Sequence, residues 1–225
     1  MSIAEKLQTI AENEQLVYNA GYEKGKSEGG GSAEYDKLWD TLQENGNRRS
    51  YQYAFYNTSL TWTDEIYNPK YPIICDNSTA YTATSIFHGN SKITDTKVPI
   101  TIIGTRMDNT FMNCTRLKRI PSLTVENLTR IVNAFQNCTS LETLIMHGVL
   151  DVDGLDLHWS TNLSKESIES IIGTLSTETE NKAITLSKVA VNSAFETADG
   201  LNDGENSKAW NDLVGLRYMW SISLV

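Results

Sequence analysis

A short repeat with a fixed interval constrains this chain more than any other feature of its sequence. Three columns of residues keep the same 24-residue spacing: Phe87, Phe111 and Phe135; Asn90, Cys114 and Cys138; and Ile93, Leu117 and Leu141. A period of this length is typical of solenoids, in which one unit buries its apolar face only by stacking on its neighbours. The sequence therefore predicts an α/β fold: a short repeat solenoid with a parallel sheet and the phenylalanines stacked inside.

The second and third columns predict where each unit turns and where it extends. The leucines open short apolar runs, so Leu117 and Leu141 are expected on neighbouring strands. The Asn or Cys of each unit is expected at the corner where the chain turns inward. Cys114 and Cys138 are thus predicted to be buried free thiols in a ladder, and the alternative is a reactive or metal-binding thiol. The three cysteines have no Cys-x-x-Cys spacing, so neither a disulfide framework nor a zinc site is predicted.

Residues 1–24 are predicted to form an anchoring or oligomerisation helix, followed by a flexible Gly/Ser linker at 25–32. A narrow apolar stripe is formed by four residues: Ile3, Leu7, Ile10 and Val17. Because a short isolated helix is marginal in water, the stripe is expected to be buried by other copies of the chain, as a trimer, or by another protein. The alternatives are a frayed tail and a helix packed on its own domain.

The remaining chain divides at residue 80. Residues 33–80 are rich in aromatics and are predicted to be the N-terminal cap of the solenoid, with sugar stacking as the alternative. Residues 81–225 are the repeat domain, with degenerate C-terminal repeats. That part is predicted to contain helices at 163–175, 189–198 and 209–216 and strands at 183–186 and 220–225.

The charge pattern excludes one class of partner and suggests another. The net charge of −9 disfavours bulk attraction to nucleic acid. A local excess of cations marks a candidate ligand patch for an anionic cell-wall polymer, formed by Arg106, Arg116, Lys118 and Arg119. The alternative is a solvated face of the first full coils. No secretory signal and no membrane-spanning apolar stretch are found, so membrane insertion is not predicted.

The chain offers little that predicts catalysis. The histidines, at 88, 147 and 158, have no cysteine or carboxylate at ligand spacing, and neither a nucleophile elbow nor a phosphate loop is found. The acidic, Gly-containing segments 151–158 and 199–206 do not fit the twelve-residue calcium template and are interpreted as turns. The sequence therefore predicts no enzyme, no catalytic residue, no metal site and no cofactor.

The repeat resembles the BspA-like leucine-rich-repeat family, whose unit is Ala-Phe-x-x-Cys-x-x-Leu-x-x-Ile. Its pattern is matched by Ala134, Phe135, Cys138, Leu141 and Leu144, and nearly as well by the unit that starts at Thr110. Three further stretches, at 2–30, at 35–55 with 62–73, and at 220–225, resemble tail-region and hypothetical proteins from phages and prophages of Gram-positive gut bacteria. The fold this implies is a short leucine-rich-repeat solenoid with an N-terminal helical segment for oligomerisation or docking.

The resemblance implies a virion structural protein, in a fibre or associated with the baseplate or tail, that displays its repeats for host-surface attachment. The implied partners are copies of itself, other virion proteins bound through the N-terminal helix, and a host cell-surface glycan or protein. Such a protein would be made in the bacterial cytoplasm and released by lysis, which fits the missing export signal. The alternatives are a bacterial cell-surface adhesin and a cell-wall glycan depolymerase, which would need a pair of carboxylates in a cleft.

Overall fold

A computed structural model describes residues 73–75, 83–103, 106–196 and 203–225. The described chain winds into a parallel β-solenoid of roughly four turns. The strands are β1 (Ile73–Cys75), β2 (Ile100–Ile103), β3 (Arg119–Glu126), β4 (Thr143–Gly148), β5 (Leu155–Leu157), β6 (Lys182–Leu186) and β7 (Trp220–Leu224). The helices are α1 (Lys165–Thr174), α2 (Lys188–Ala194) and α3 (Lys208–Gly215), with a 3₁₀ turn at Gly204–Asn206. The predictions for residues 1–24 and 25–32, and for most of the cap at 33–80, lie outside the described residues.

Two sheets form the sides of the solenoid, in the orders β1-β2-β3-β4 and β5-β6-β7. Every pairing within them is parallel. Parallel pairing of consecutive strands requires the chain to return to the same side of the molecule after each coil. The parallel α/β solenoid predicted from the repeat is therefore present. Between Ile120 and Leu123, β3 holds one more residue than β4. Pro121 lies there, and it has no backbone N–H for the ladder.

The interior is one continuous apolar core. Phe87 and Phe111 stack with ring centroids 5.2 Å apart and planes 4° from parallel, and Phe111 and Phe135 stack at 5.5 Å and 10°. All three side chains are fully buried. The fixed period thus places each ring over the previous one, and the stacking contributes beyond the burial of apolar area.

The expected positions of Leu117 and Leu141 on strands are wrong, because each leucine lies just before its strand. Both are buried, but β3 begins at Arg119 and β4 at Thr143. The backbone N–H of Leu117 donates to the carbonyl of Cys114 at 3.1 Å, which keeps the leucine in the turn before the strand. Its side chain fills the corner of the coil.

Asparagines shape the turns between strands. Asn109, Asn113, Asn133 and Asn137 have φ angles of 54°, 63°, 55° and 60°, in the left-handed region that asparagine tolerates better than most residues. The second pair follows the first by one period, so neighbouring coils turn in the same way. This alignment lets the backbone of one turn bond to the next: the N–H of Asn113 donates to the carbonyl of Gln136 at 2.8 Å.

A fourth copy of the repeat follows at a shorter spacing. Leu157, Ser160 and Leu163 are buried, with the same internal spacing as Phe135, Cys138 and Leu141. The Ser160 N–H donates to the Leu157 carbonyl at 3.0 Å, and its hydroxyl donates to the carbonyl of Cys138 at 3.2 Å. The interval from Cys138 to Ser160 is shorter than the period of the earlier copies, and serine replaces their Asn or Cys.

After this copy the chain forms α1 instead of another strand beside β4. The helix begins after Ser164, whose side chain accepts from the backbone N–H of Ser167, as predicted for an N-cap. Ser167 Oγ accepts from Leu144 N at 2.9 Å, and Ser170 Oγ accepts from Met146 N at 2.6 Å. Two serines one turn apart on α1 therefore accept hydrogen bonds from backbone N–H groups at the edge of β4. Without the helix, these donors of an edge strand would be unpaired.

The last segments agree with the predicted helices and strands to within a few positions at each boundary. Arg217, in the connection between α3 and β7, binds the last turn of α1 through Nε to the Ile172 carbonyl at 3.1 Å and through Nη2 to the Gly173 carbonyl at 3.0 Å. A cation at a helix C-terminus satisfies free carbonyls and complements the helix dipole.

Candidate binding surface

Three of the four cations predicted as a ligand patch are engaged in ion pairs between and along coils: Arg106, Lys118 and Arg119. Arg106 donates through Nε to Asp108 at 2.8 Å, and Asp108 also accepts from the backbone N–H of Val132 in the next coil at 2.9 Å. Arg119 donates through Nε to Asp95 at 2.7 Å, across one repeat. Both aspartates are buried, and a buried carboxylate is stable only when paired.

The structure brings only part of the predicted patch together. Lys118 and Arg119 line a shallow pocket of about 270 Å³ together with Thr94, Asp95 and Glu142. Lys118 lies 3.2 Å from Glu142, so both cations in this pocket face a carboxylate. Arg116 is exposed, and Arg106 belongs to a separate cluster around Asp108. The positive charge available to an anionic ligand is therefore smaller than the sequence suggests.

The cysteine column is buried and bonded to the backbone. Cys114 Sγ donates to the Phe87 carbonyl at 3.0 Å, and Cys138 Sγ donates to the Phe111 carbonyl at 3.1 Å. Burial raises the pKa of the Cys138 thiol to about 12 and raises the pKa of Cys114, to which the neighbouring Cys138 also contributes. Both are free thiols held in the protonated form, the state in which they can donate these bonds and in which sulfur is a poor nucleophile.

An acidic cleft of about 530 Å³ lies where β3 and β4 end, and Glu126, Asp151 and Glu178 line it beside the exposed Val149. The side chains of Lys182 and Thr179 bond to Asp151, and the bond from Lys182 is the main reason that the pKa of this carboxyl is lowered. Within the described ranges, no group of three or more His, Cys, Asp or Glu side chains could hold a metal ion.

A second polar surface surrounds the end of β5. His158 Nδ1 lies 2.7 Å from Asp156 Oδ1, and the same oxygen accepts from the His158 backbone N–H at 3.0 Å. The His158 ring contacts the indole of Trp159, with centroids 4.5 Å apart and planes tilted by 41°. Trp159 is 39% exposed, and the Asp156 and His158 side chains are 44% and 30% exposed. A carboxylate, an imidazole and an indole thus form one continuous partly exposed surface.

The second sheet extends this surface. Asp156 is in register with Thr185 on β6, and Thr185 with Ser223 on β7. Their neighbours Ile184 and Leu186 point into the core, so the alternation of a strand directs Thr185 outward. We name the set Asp156, His158, Trp159, Thr185 and Ser223 the β5–β7 strip. It carries an aromatic platform at one end and a row of hydrogen-bonding groups along the sheet.

Sequence reasoning missed the strip. It found no carboxylate at ligand spacing from any histidine, whereas Asp156 binds His158 directly from two positions away. The signal was present in the alternation of Leu155, Asp156 and Leu157, which directs the aspartate outward at the end of a strand.

The other two histidines lie away from the strip. His88 lies 3.5 Å from the Asn113 amide, and burial lowers the pKa of His88. His147 lies in the outward row of the first sheet, in register with Thr124.

No described helix is long and apolar enough to span a bilayer. In comparisons with known proteins, no family model, no curated protein and no solved structure matches this chain.

Proposed function

We propose that this protein is a phage virion structural component, in a fibre or associated with the baseplate or tail, that displays a leucine-rich-repeat domain for attachment to the host surface. The role is binding without catalysis. The proposal rests on the resemblance of the repeat unit to BspA-like repeats and of three further stretches to phage and prophage tail-region proteins of Gram-positive gut bacteria.

One structural observation supports a binding role above others: several polar side chains of the described repeats bond from one coil to the next. Asp95, Asp108 and the cysteine column hold successive coils in register. A solenoid fixed in this way presents the outward side chains of its strands at regular intervals on a rigid support. Rigid support reduces the ordering cost of binding, and extended surfaces of this kind are what repeat proteins use for recognition.

Attachment can be tested with the full chain. A fluorescently labelled preparation should bind cells of some strains in a panel of Gram-positive gut bacteria and should slow adsorption of the phage that carries it to those strains. Chain that binds none of the strains, or that binds without affecting adsorption, would exclude a role in attachment.

The proposed anchor, residues 1–24, lies outside the described residues and is tested by mutation. Leu7→Asp with Ile10→Asp places two charges in the apolar stripe and should remove the protein from virions. Gln8→Asp with Gln15→Asp adds the same charges on the opposite face of the predicted helix and should leave incorporation unchanged. Immunogold labelling of purified particles measures both variants. Normal incorporation of the first variant would contradict the anchor.

A further inference from the structure

We infer that the β5–β7 strip is a subsite for a neutral oligosaccharide, with Trp159 as the stacking platform. Its biological role as the contact to the host rests on the proposed function, whereas sugar binding itself can be measured without it. The inference depends on four properties of the strip: an exposed aromatic face, a fixed polar edge, its length and the sign of the surrounding charge.

Trp159 differs from the other described tryptophans. Trp210 and Trp220 are 5% and 6% exposed, and Trp220 donates through Nε1 to the Ser176 carbonyl at 2.8 Å. Those two side chains fill the core. Trp159 remains 39% exposed although it belongs to a buried repeat copy, between the fully buried Leu157 and Ser160. An indole that is kept at the surface offers a large, rigid apolar face at low entropic cost, which suits the C–H face of a sugar ring.

The polar groups beside the indole are already oriented. Asp156 Oδ1 holds both the ring and the backbone of His158, so the imidazole is fixed against the indole. Oδ2 of Asp156 and Nε2 of His158 take no part in these bonds. Because Nδ1 donates to Asp156, Nε2 of the neutral imidazole is an acceptor, and both free atoms can accept hydrogen bonds from hydroxyl groups. A side chain that is fixed before binding loses little entropy when the ligand arrives, which favours specific recognition.

The strip has the length of a short oligosaccharide. Neighbouring strands lie about 4.8 Å apart, so Asp156, Thr185 and Ser223 place a carboxylate and two hydroxyls along about 10 Å of sheet. With Trp159 and His158 added at one end, the surface can stack one ring and hydrogen-bond the next one or two. Hydroxyl-rich ligands match such a row because each group can act as donor or acceptor.

The charge of this region selects neutral ligands. Residues 150–225 carry twelve acidic and five basic side chains, and Asp156 lies within the strip itself. An anionic polymer would be repelled. The cations Arg119 and Lys118, which could attract such a polymer, face Asp95 and Glu142 in the pocket beside β3. The strip therefore predicts hexose or N-acetylhexosamine chains without phosphate or carboxylate groups.

The inference is tested by titrating the full chain with tetrasaccharides of glucose, mannose, galactose and N-acetylglucosamine, and with tetragalacturonic acid as the anionic probe. Calorimetry gives the affinity, and saturation-transfer NMR identifies the sugar protons in contact with protein. The variants are Trp159→Ala, Trp159→Phe and Asp156→Asn. The matched control is Tyr218→Ala, which removes an exposed aromatic side chain outside the strip.

At least one neutral tetrasaccharide should bind. Trp159→Ala should weaken its binding about ten-fold or more, Trp159→Phe and Asp156→Asn should weaken it less, and Tyr218→Ala should leave it unchanged. The two conservative variants protect the test against a folding defect in Trp159→Ala, which its thermal unfolding curve would reveal. The inference is overturned if no neutral tetrasaccharide binds, if only tetragalacturonic acid binds, or if the Trp159 variants bind as the wild type does.

Cell binding separates this inference from the proposed function. If Trp159→Ala retains sugar binding while the wild-type chain attaches to host cells, the inferred sugar subsite is wrong and the proposed attachment role stands. If Trp159→Ala loses sugar binding while the wild-type chain attaches to no strain, the sugar subsite is confirmed and the proposed attachment role is wrong.

Discussion

Between Phe87 and Leu141 neighbouring coils are joined by the same atoms at the same positions, whereas after Leu150 each junction uses different ones. In the first region rings stack on rings and thiols bind carbonyls once in every period. In the second region, Leu155 pairs with Ile184 and Ile184 pairs with Ile222, so the second interval along the chain is longer than the first. Helices and loops of different lengths take up the additional residues.

The difference shows what a fixed period is needed for. A ring contact or a thiol–carbonyl bond has one length, so a coil that gained a residue would move these side chains out of reach. Where a helix supplies the contact, as the serines of α1 do for β4, the partner can come from a segment of any length. Regular spacing therefore repeats the same side-chain contact in every coil, whereas the shorter interval to Ser160 leaves its hydroxyl on a different carbonyl, that of Cys138. Backbone pairing tolerates irregular coils.

The strongest test of the regular region is the middle ring of its stack. Phe111→Ala removes a fully buried ring that stacks on both sides, and it should lower the free energy of unfolding by about 3–5 kcal/mol. Urea denaturation followed by circular dichroism measures the change.

A conservative pair sharpens the comparison of positions. Phe111→Leu loses two ring contacts, whereas Phe135→Leu loses the single one described for it, so the first should cost about 1 kcal/mol more. Equal costs for the two leucine variants would show that burial, and not ring stacking, holds these coils together.

The junction between the regions is tested at its serines. Ser167→Ala leaves the buried N–H of Leu144 without its acceptor and should cost about 1–3 kcal/mol. The exchange of the Leu144 amide hydrogen should also become faster, as hydrogen exchange with mass spectrometry or NMR can show.

Ser193→Ala on α2 is the matched control, because Ser193 is an exposed helical serine and alanine is the better helix former. It should change stability by a few tenths of a kcal/mol at most. If Ser167→Ala also changed stability by only a few tenths of a kcal/mol, α1 would pack beside β4 without stabilising the strand through hydrogen bonds to its backbone.

The smallest effect is expected from pH at His88, in the regular region. Burial lowers the pKa of His88, so the unfolded chain binds the proton more readily than the folded chain. The stability that depends on the neutral imidazole is fully present above the unfolded pKa of about 6.5 and is lost as the pH falls below it. His88→Gln should make the unfolding midpoint less sensitive to pH between neutral and mildly acidic conditions. An unchanged pH dependence would show that the His88 side chain keeps its ordinary affinity for protons when folded.

Much of the fold could be predicted from the sequence because its strongest signal, a phenylalanine once in every period, is also its strongest packing constraint. The same period could have paired Asp95 with Arg119, which stand one period apart, and would have shown that this cation is engaged. It could also have identified the left-handed turns at Asn109 and Asn133. Charges considered one by one, without the period, do not reveal these pairs.

Other features could not be predicted in this way. The fourth copy at Leu157 has lost its ring and its regular spacing, and its strand is replaced by α1, so only the stacked turn identifies it. The β5–β7 strip joins residues from three strands whose separations follow no period, and no rule of sequence spacing brings Asp156 beside Thr185.

The helix that closes the first sheet has a consequence for how such a protein can change in length. Its serines bind a strand backbone and its own start depends on Ser164, so nothing in the junction depends on how many copies precede it. A gene that duplicated one repeat unit would lengthen the sheet by about 4.8 Å and meet the same closing helix. The number of repeats can therefore vary between related genes while the same helix closes the edge of the sheet.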